Sequence, residues 1–245
     1  MPLIYGINPV TEAINSGKTI NKIYATKGSK EVYEIIKLAK DKKIIVVESD
    51  KIKLDRMITE EGEKTKNSQG VVASVTDYKY CEIQDILDYA NEKGEQPFVV
   101  VLDKIEDPHN LGAIIRSAEC MGVHGIVIQK RNACQVTDIV EKTSAGATSY
   151  MKIARVTNIT NSINELKKAG LWVYGLDMDG EKIYNTDLKG AVAIVVGGEG
   201  VGLTRLVKEN CDGIIQIPMC GKVNSLNASV SAAISIYEVK RQINM

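Results

Sequence analysis

From residue 98 onward the chain repeats one pattern, in which a short apolar run is followed by a segment with helical spacing. The six runs are nearly unbroken, and they are FVVVLD (98–103), GIVIQK (125–130), KIARV (152–156), WVYGLDM (172–178), AVAIVVGG (191–198) and GIIQIP (213–218). Strands without polar alternation are buried on both faces, as in a parallel sheet connected by helices. The pattern therefore predicts an α/β domain with a parallel sheet covered by helices on both faces.

The carboxyl ends of these strands are where a ligand site is expected. Helical spacing lies between most of the apolar runs, at 111–121, 137–145, 159–169 and 203–210. In parallel sheets of this kind, ligands bind outside the carboxyl ends of the strands. Three segments that directly follow strands carry unusual residues, and they are 103–116, 196–202 and 217–227.

The first part of the chain indicates a separate, smaller α/β domain. Helical spacing occurs at 9–16 and 29–40, strand-like runs occur at 20–26, 44–48 and 71–75, and the charged segment 59–70 is expected to form an exposed loop. We place this domain at 1–76, a linker with one short helix at 77–97, and the second domain at 98–245.

Composition excludes several classes of protein. No apolar stretch approaches the ~20 residues of a membrane helix, and the first ten residues lack the basic and apolar regions of a signal peptide. We therefore expect a cytoplasmic protein. Five cysteines without a C-x-x-C pair, and two histidines without ligand spacing, predict neither disulfides nor a metal site. Residues 1–80 carry 14 basic and 11 acidic side chains, or +3, which permits an anionic partner.

The first of the three segments contains Asn110 and Arg116. Asn110 could cap the helix that follows, by accepting a bond from a free backbone N–H. Arg116 lies six residues further on, so it reaches the same helix end only if its side chain folds back. On the residues alone, a helix cap at Asn110 and a solvated charge at Arg116 are the favoured interpretations.

The second segment, Val196–Gly202, has four glycines in six positions. Glycines after a buried strand let the backbone approach a ligand closely. The spacing is neither G-x-G-x-x-G nor that of a P-loop, so the dinucleotide and nucleoside-triphosphate loops are excluded. Glu199, among these glycines, suits an amide, a hydroxyl or a cation better than a phosphate. A tight turn before a helix remains the simpler alternative.

The third segment, 217–227, joins the last strand to the last helix. Ser225 could cap that helix, whereas Asn224 and Asn227 add amide groups that one cap does not need. Small residues then recur at helical spacing, at Ser225, Ala228, Ser229, Ala232 and Ser235. Such a stripe predicts close packing of the helix against another element.

Together the three segments resemble the three motifs of the SpoU (TrmH) family of RNA ribose 2′-O-methyltransferases, in the SPOUT class. The matching pieces, in the family's order, are DPHNLGAIIRSAECMG (107–122), VVGGEGVGL (195–203) and IPMCGKVNSLNASVSAA (217–233). The start of the chain, IYGINPVTEAI (4–14), resembles the RNA-binding domain of members of the RlmB type, which methylate a guanosine in 23S ribosomal RNA. The resemblance thus covers nearly the whole chain.

The resemblance implies a fold, a cofactor and a set of site residues. The fold is a SPOUT-type α/β parallel sheet with a C-terminal trefoil knot, preceded by a small α/β RNA-binding domain. The implied catalytic residues are Arg116, Asn110, Glu199, Ser225 and Asn227. The implied contacts to S-adenosyl-L-methionine are Gly197, Gly198, Ile217, Met219 and Leu226, with no metal. The last helix is expected to meet its own twin in a homodimer.

The function implied is S-adenosylmethionine-dependent 2′-O-methylation of RNA, with a guanosine of 23S rRNA as the expected target. Transfer RNA and another rRNA nucleotide are the alternative substrates. A catalytically silent RNA-binding protein on the same fold is a second possibility, against which the presence of Arg116, Ser225 and Asn227 argues. An unrelated nucleotide-dependent enzyme, such as an oxidoreductase, would need the G-x-G-x-x-G loop that the sequence lacks.

Overall fold

The computed structural model describes residues 3–60, 67–76, 78–198, 200, 202–223 and 225–243. The chain divides into two compact units, 1–79 and 80–245. Among the described helices, none is both long enough and apolar enough to cross a membrane.

The first unit is a four-stranded sheet with three helices. Its elements, in chain order, are β1 (Leu3–Tyr5), α1 (Ile7–Asn15), β2 (Ile20–Ala25), α2 (Lys30–Asp41), β3 (Val46–Glu48), α3 (Lys51–Glu60) and β4 (Val71–Val75). The strand order is β1-β4-β2-β3, with β2 and β3 parallel and β4 antiparallel to both of its neighbours. The predicted small α/β domain is thereby confirmed.

Successive residues of β4 face opposite sides of the sheet, and each side has its own core. Val71 and Ala73 pack with α1 and α2, whereas Val72 packs with Leu54 and Ile58 of α3. The sequence did not predict β1 or α3. The reasons are that β1 has only three residues, and that α3 is charged apart from a narrow apolar stripe.

The charged segment before β4 differs in part from the exposed loop predicted there. Residues 61–66 lie outside the described part of the chain. Ser68, however, is fully buried, and its hydroxyl and backbone N–H both donate to Asp55 Oδ1, at 2.5 and 3.0 Å. These two bonds lower the pKa of the Asp55 carboxyl. They attach the residues just before β4 to α3.

The second unit is a six-stranded sheet with helices on both faces. Its strands are β5 (Phe98–Asp103), β6 (Gly125–Gln129), β7 (Lys152–Val156), β8 (Trp172–Lys182), β9 (Val192–Gly197) and β10 (Gly213–Gln216). Its α-helices are α4 (Ile83–Glu92), α5 (Pro108–Cys120), α6 (Asp138–Thr143), α7 (Ile159–Lys168), α8 (Arg205–Asn210) and α9 (Ala228–Ile243). Two short 3-10 helices lie at Ala147–Ser149 and Ile183–Asn185.

The strands of this sheet run parallel in every described pair, in the order β10-β8-β9-β5-β6-β7. The predicted parallel sheet is therefore confirmed, and all six apolar runs are strands. The centre is formed by β9, β5 and β8, whose carboxyl ends lie at one edge. The trefoil knot implied by the resemblance stays a prediction.

Alternating residues of the central strands supply two separate cores. Val99, Val101 and Val195 pack with α4, α7 and α8 on one face of the sheet. On the other face α5 packs against α6 and α9, and α9 also packs against β9. The side chains of the central strands β5 and β9 are buried on both faces of the sheet, as the unbroken apolar runs predict. Burial of each Val or Ile contributes about 1.5–3 kcal/mol to the stability of the fold.

The segment expected to be a linker, 77–97, differs from that expectation. Ile83, Ile86 and Leu87 of α4 are buried in the same core as β5. Cys81 donates its backbone N–H to Ile153 at 3.0 Å and pairs with the edge of the sheet at β7. Residues 80–97 are therefore an integral part of the second unit.

Three of the five residues in the small-residue stripe are buried within their own chain, whereas Ser229 is half-buried and Ser225 is exposed. Ala228, Ala232 and Ser235 are at most 5% exposed, because α9 packs on α5 and β9. Close packing against another element is thus confirmed for these three residues, and the homodimer through the last helix stays a prediction. The exposed side of α9 carries Val230 and Tyr237.

Candidate active site

A cavity of about 870 Å³ lies at the carboxyl ends of β9 and β10, beside residues 176–178 in the middle of β8. The strand ends, the glycine segment and the segment before α9 all contribute to it. Its lining consists of Leu176, Asp177, Met178, Val196, Gly197, Gly198, Gly200, Gly202, Gln216, Ile217, Met219, Gly221, Ser225, Leu226, Asn227, Ala228 and Ser231. The five residues expected to contact the cofactor are all in this set.

The glycine segment forms a tight hairpin-like loop after β9. Gly198 and Gly202 pair across it, and the Gly202 N–H donates to the Gly198 carbonyl at 3.0 Å. A Cβ on Gly197 would collide with the Gly202 backbone, and one on Gly198 would collide with the Lys104 carbonyl. Close backbone contact therefore requires glycine at 197 and 198, whereas Gly200 and Gly202 have positive φ angles of 76° and 66°. The turn that was the simpler alternative is present and also lines the cavity.

A buried carboxylate anchors the far end of the glycine segment. Asp103, the last residue of β5, is 1% exposed, and its Oδ2 accepts from both the backbone N–H and the hydroxyl of Thr204, each at 2.8 Å. These charge-assisted bonds hold the loop against the neighbouring strand end. Sequence analysis did not single out either residue, because they are 101 positions apart.

The side chain of Asn227, rather than that of Ser225, caps α9. Asn227 Oδ1 accepts from the backbone N–H groups of Ser229 and Val230, at 2.9 and 3.3 Å. The cap predicted at Ser225 is therefore wrong, because the helix begins at Ala228, two residues later than that cap would require. Ser225 is exposed and lines the cavity instead.

Asn110 is also not a helix cap. The cap of α5 is Asp107, whose Oδ1 accepts from the backbone N–H of His109 at 2.7 Å, and Asn110 lies within the first turn. Its side chain is 6% exposed and accepts a hydrogen bond from Asn227 Nδ2 at 2.9 Å. The structure thus joins two of the expected catalytic residues directly.

The remaining expected catalytic residues are Arg116 and Glu199. Arg116 lies nearly two turns beyond Asn110 on α5, and its side chain is exposed. It has no hydrogen bond or ion pair with another residue in the described part of the chain. Glu199 lies outside the described residues. Among the five residues, the structure therefore places Ser225 and Asn227 at the cavity, and Asn110 against Asn227.

One charged side chain, that of Asp177, is found among the described lining residues. Its Oδ2 lies 3.2 Å from Lys208 Nζ, and the same ammonium lies 2.6 Å from Asp179 Oδ1. The hydrogen bond to Asp179, followed by the one to Asp177, raises the pKa of Lys208. Asp177 belongs to none of the three segments that stood out in the sequence, so its place in the cavity was not predicted.

Neither of two partly buried thiols in the second unit has the properties of a nucleophile. Burial raises the pKa of Cys211 to about 12 and that of Cys81 to about 11. Both are therefore protonated at neutral pH, and a thiol reacts as its thiolate. Within the described residues, no three His, Cys, Asp or Glu side chains are grouped as a metal site would require.

Two family models match the chain, and together they cover both units. The model of the SpoU rRNA Methylase family matches residues 97–237. A second model, described as RNA 2′-O ribose methyltransferase substrate binding, matches residues 3–81.

Relatives are similar over almost their whole length. A protein of Bacillus subtilis (strain 168), provisionally named a TrmH family tRNA/rRNA methyltransferase, is 43% identical over 244 residues, which are 98% of this chain and 96% of that protein. A protein of Staphylococcus aureus (strain MSSA476) with the same provisional family name is 43% identical over 243 residues, with the same shares covered.

Solved structures share the fold. The AdoMet-bound rRNA methyltransferase from Sinorhizobium meliloti is 25% identical with a TM-score of 0.59, covering 98% of this chain and 86% of that one. The SpoU methyltransferase AviRb from Streptomyces viridochromogenes, in complex with AdoMet, is 24% identical with a TM-score of 0.60, covering 98% and 89%. The second likeness concerns the fold alone.

Proposed function

The chain belongs to the SpoU methylase family of RNA methyltransferases, and from that premise we propose that it methylates the ribose 2′-hydroxyl of a guanosine in 23S ribosomal RNA. The coarser function is that of the family: S-adenosylmethionine-dependent 2′-O-methylation of RNA. The choice of target rests on the resemblance of residues 4–14 to the N-terminal domain of 23S rRNA enzymes. Transfer RNA is the second candidate, because the provisional names of the similar proteins include both kinds of RNA.

The cavity suits S-adenosylmethionine. Leu176, Ile217 and Leu226 offer apolar surface to an adenine ring, and the glycine segment leaves backbone groups uncovered by side chains. No Lys or Arg is among the described lining residues, so no cation there repels a sulfonium. We therefore assign the binding of the cofactor to the five residues expected for it: Gly197, Gly198, Ile217, Met219 and Leu226.

Bound in this cavity, S-adenosylmethionine supplies an electrophilic methyl group on a sulfonium. The chain's own residues must position the ribose hydroxyl and stabilise the negative charge that develops on its oxygen. We assign charge stabilisation to Arg116, because its exposed guanidinium can bind the phosphate beside that ribose. An arginine keeps its proton in proteins, so this side chain acts as a hydrogen-bond donor and a charge, and not as the base.

We assign the other four expected catalytic residues to positioning the substrate or the residues around it. The exposed hydroxyl of Ser225, at the cavity, is available to the ribose. Asn110 and Asn227 hold the segment before α9 in place through their direct hydrogen bond. Glu199, in the middle of the glycine segment, is assigned to orienting Arg116 or the ribose.

In the first unit, one cavity of about 770 Å³ suits RNA phosphates. It lies where the parallel strands β2 and β3 end, and its lining includes Lys27, Lys51 and Lys53. Lys27 pairs with Glu48 at 2.7 Å, whereas Lys51 and Lys53 are exposed in the first turn of α3. The lining also contains Glu48 and Asp50, and Asp50 Oδ1 accepts from the backbone N–H of Lys53 at 2.7 Å at the start of α3. The phosphate contacts are therefore assigned to the exposed side chains of Lys51 and Lys53. We propose that this edge contacts the RNA substrate.

We also propose a homodimer through α9, in which the exposed side of the helix forms the contact. Val230, Ile234 and Tyr237 lie at helical spacing and are 45%, 38% and 57% exposed. An exposed apolar stripe on a helix indicates an interaction surface. A two-fold contact would cover the same stripe on both subunits.

The observation that best supports the proposed reaction is the grouping of the five expected cofactor residues with Ser225 and Asn227 around one cavity. The experiment is to map 2′-O-methyl groups in total RNA from cells with and without the gene. Loss of one modified guanosine in 23S rRNA, restored by the gene but not by an Arg116→Ala copy, is expected. Loss of a tRNA position instead would exclude the rRNA target and establish the second candidate.

A further inference from the structure

Asp177 has an unusual position for a carboxylate. It follows Leu176, the last residue of β8 that pairs with β9, and lines a cavity whose other described lining side chains are uncharged. Its side chain is only 22% exposed. A Cβ atom built on Gly202, across the cavity lining, would lie 4.0 Å from Asp177 Oδ2. The carboxylate therefore lies beside the glycine segment.

The carboxylate is held in one orientation but keeps acceptor capacity. Oδ1 accepts from the backbone N–H of Met178 at 2.7 Å, and Oδ2 lies 3.2 Å from Lys208 Nζ. An ionised carboxylate has about four acceptor sites on its two oxygens. These two bonds leave about half of that capacity for a ligand in the cavity.

We propose that Asp177 accepts hydrogen bonds from the ribose hydroxyl groups of the adenosyl part of the cofactor, an inference that rests on the cofactor site proposed above. The ribose diol is the part of the cofactor that offers two neutral O–H donors side by side. Carboxylates serve the ribose of dinucleotides in the same chemical way, at the strand ends of other parallel sheets.

Charge distinguishes the diol from the cationic donor of the cofactor, the ammonium of the methionyl part. Lys208 already lies 3.2 Å from the Asp177 carboxylate, so a second ammonium there would meet a like charge at close range. A neutral diol avoids that repulsion. Lys208 is then a positioning residue, which holds Asp177 from behind.

Asp179 provides a matched control for Asp177. It bonds the same ammonium, at the shorter distance of 2.6 Å, yet its side chain is 69% exposed and it is absent from the cavity lining. If Asp177 served only to pair with Lys208, replacing either aspartate would have a similar effect on ligand binding. Contact with the ribose makes only Asp177 sensitive to the ribose hydroxyls.

The test is calorimetric titration with S-adenosylhomocysteine and with its 2′-deoxy and 3′-deoxy analogues. The wild-type protein is expected to bind at least one deoxy analogue about 10-fold or more weakly, the scale of a hydrogen bond to a charged group. Asp177→Asn should bind S-adenosylhomocysteine about 10-fold more weakly and discriminate less between it and that analogue. Asp179→Asn should keep wild-type affinity within about 3-fold and keep the discrimination.

The outcomes separate this inference from the cofactor assignment. If the wild-type protein binds S-adenosylhomocysteine and both deoxy analogues equally well, the inference is overturned while the cofactor site stands. The same holds if folded Asp177→Asn discriminates as the wild type does. If the wild-type protein binds none of the three, the cofactor site itself is wrong. The comparison of analogues on the wild-type protein needs no variant, so it can overturn the inference even if Asp177→Asn misfolds.

Discussion

The Nδ2 atom of Asn227 donates to the Oδ1 atom of Asn110 at 2.9 Å, and this bond joins the starts of two helices that are 117 residues apart in sequence. At the same time, Oδ1 of Asn227 caps α9. One amide therefore fixes where the last helix begins and holds it against α5. Because the preceding residues line the cofactor cavity, the same amide also fixes one wall of the site.

Asn227→Ala should lower the free energy of unfolding by about 2 kcal/mol. Loss of the cap contributes about 1 kcal/mol, and loss of the bond to the buried Asn110 contributes a similar amount. Affinity for S-adenosylhomocysteine should fall as well, because the segment before α9 loses its anchor. Chemical denaturation and calorimetry measure the two effects.

Asn158→Ala is the matched control for that change. Asn158 caps α7 through a bond from the backbone N–H of Asn161 at 3.1 Å, and it does not line the cavity. Its replacement should cost about 1 kcal/mol of stability without any change in cofactor affinity. Equal losses of stability in both variants, with affinity intact in both, would contradict the double role of Asn227.

Arg116→Ala should reduce methyl transfer at least ~10²-fold, the usual scale for losing one charge-stabilising group. Cofactor affinity should stay within a few-fold of the wild type, since Arg116 is not among the described cavity residues. Arg116→Lys should also be poor, because an ammonium cannot reproduce the planar guanidinium. Single-turnover rates with saturating cofactor provide the measurement.

The control for that experiment is Arg205→Ala. Arg205 is also an exposed arginine, with 85% of its side chain exposed, and it pairs with Glu209 at 3.0 Å on the surface of α8. A surface pair of this kind contributes little to stability, so methyl transfer should be unchanged. A lysine at position 116 with near wild-type turnover would disprove the account of Arg116.

Most of the second unit could be predicted from the sequence, because its strands are buried on both faces and their apolar runs are unbroken. The same argument fails for α3, where Leu54 and Ile58 are the fully buried apolar positions on an otherwise charged helix. Short apolar stripes carry too little periodicity to be read as a helix.

The site was only partly predictable, because its contacts join distant positions. The caps at Asn110 and Ser225 were wrong, since several neighbouring residues could cap each helix and backbone geometry decides among them. The bonds from Thr204 to Asp103 carry no local signal, because these residues meet only when β5 and β9 are side by side. The glycines in segment 196–202 predicted a loop. The sequence did not predict which backbone groups would collide with a side chain there, namely those of Gly202 and Lys104.

In the first unit, Lys51→Gln combined with Lys53→Gln should weaken RNA binding. The dependence of log affinity on log salt should become shallower by about 0.7–0.9 for each phosphate contact that is lost. The control is the pair Lys40→Gln and Lys42→Gln. It removes the same amount of positive charge from the C-terminal end of α2, outside the lining of the 770 Å³ cavity. Filter binding at several salt concentrations measures both. Equal effects of the two pairs would indicate general charge attraction and not a contact at this edge.

His124 should make the stability of the second unit depend on pH. The ring is 2% exposed, its Nδ1 accepts from the backbone N–H of Phe98 at 3.0 Å, and burial lowers its pKa, against the opposing effect of Glu95. The unfolded chain therefore binds a proton more readily than the folded one. Stability should be complete above the ordinary pKa of 6.5 and should decrease as the pH falls from there toward the folded-state pKa.

Denaturation at pH 7.5 and pH 5.5 checks this expectation. His124→Asn keeps an acceptor for the Phe98 N–H and does not titrate in this range, so the variant should lose less stability between the two pH values. His109→Asn changes the chain's other histidine, at an exposed position, and is the control. A pH dependence that is the same in His124→Asn as in the wild type would contradict the role given to this ring.

On α9, Ile234→Asp should separate the proposed dimer into monomers. The side chain is 38% exposed and lies between Val230 and Tyr237 on the outer stripe, where a charge would be buried against its own copy in a two-fold contact. Leu206→Asp, at a 62% exposed position on α8, introduces the same charge away from that stripe and should leave the dimer intact. Ala232 is unsuitable for this test, since it is fully buried and a larger side chain there would disrupt the packing of α9 on its own chain. Sedimentation velocity at micromolar concentration distinguishes the species, and a wild-type protein that is monomeric there would refute the dimer.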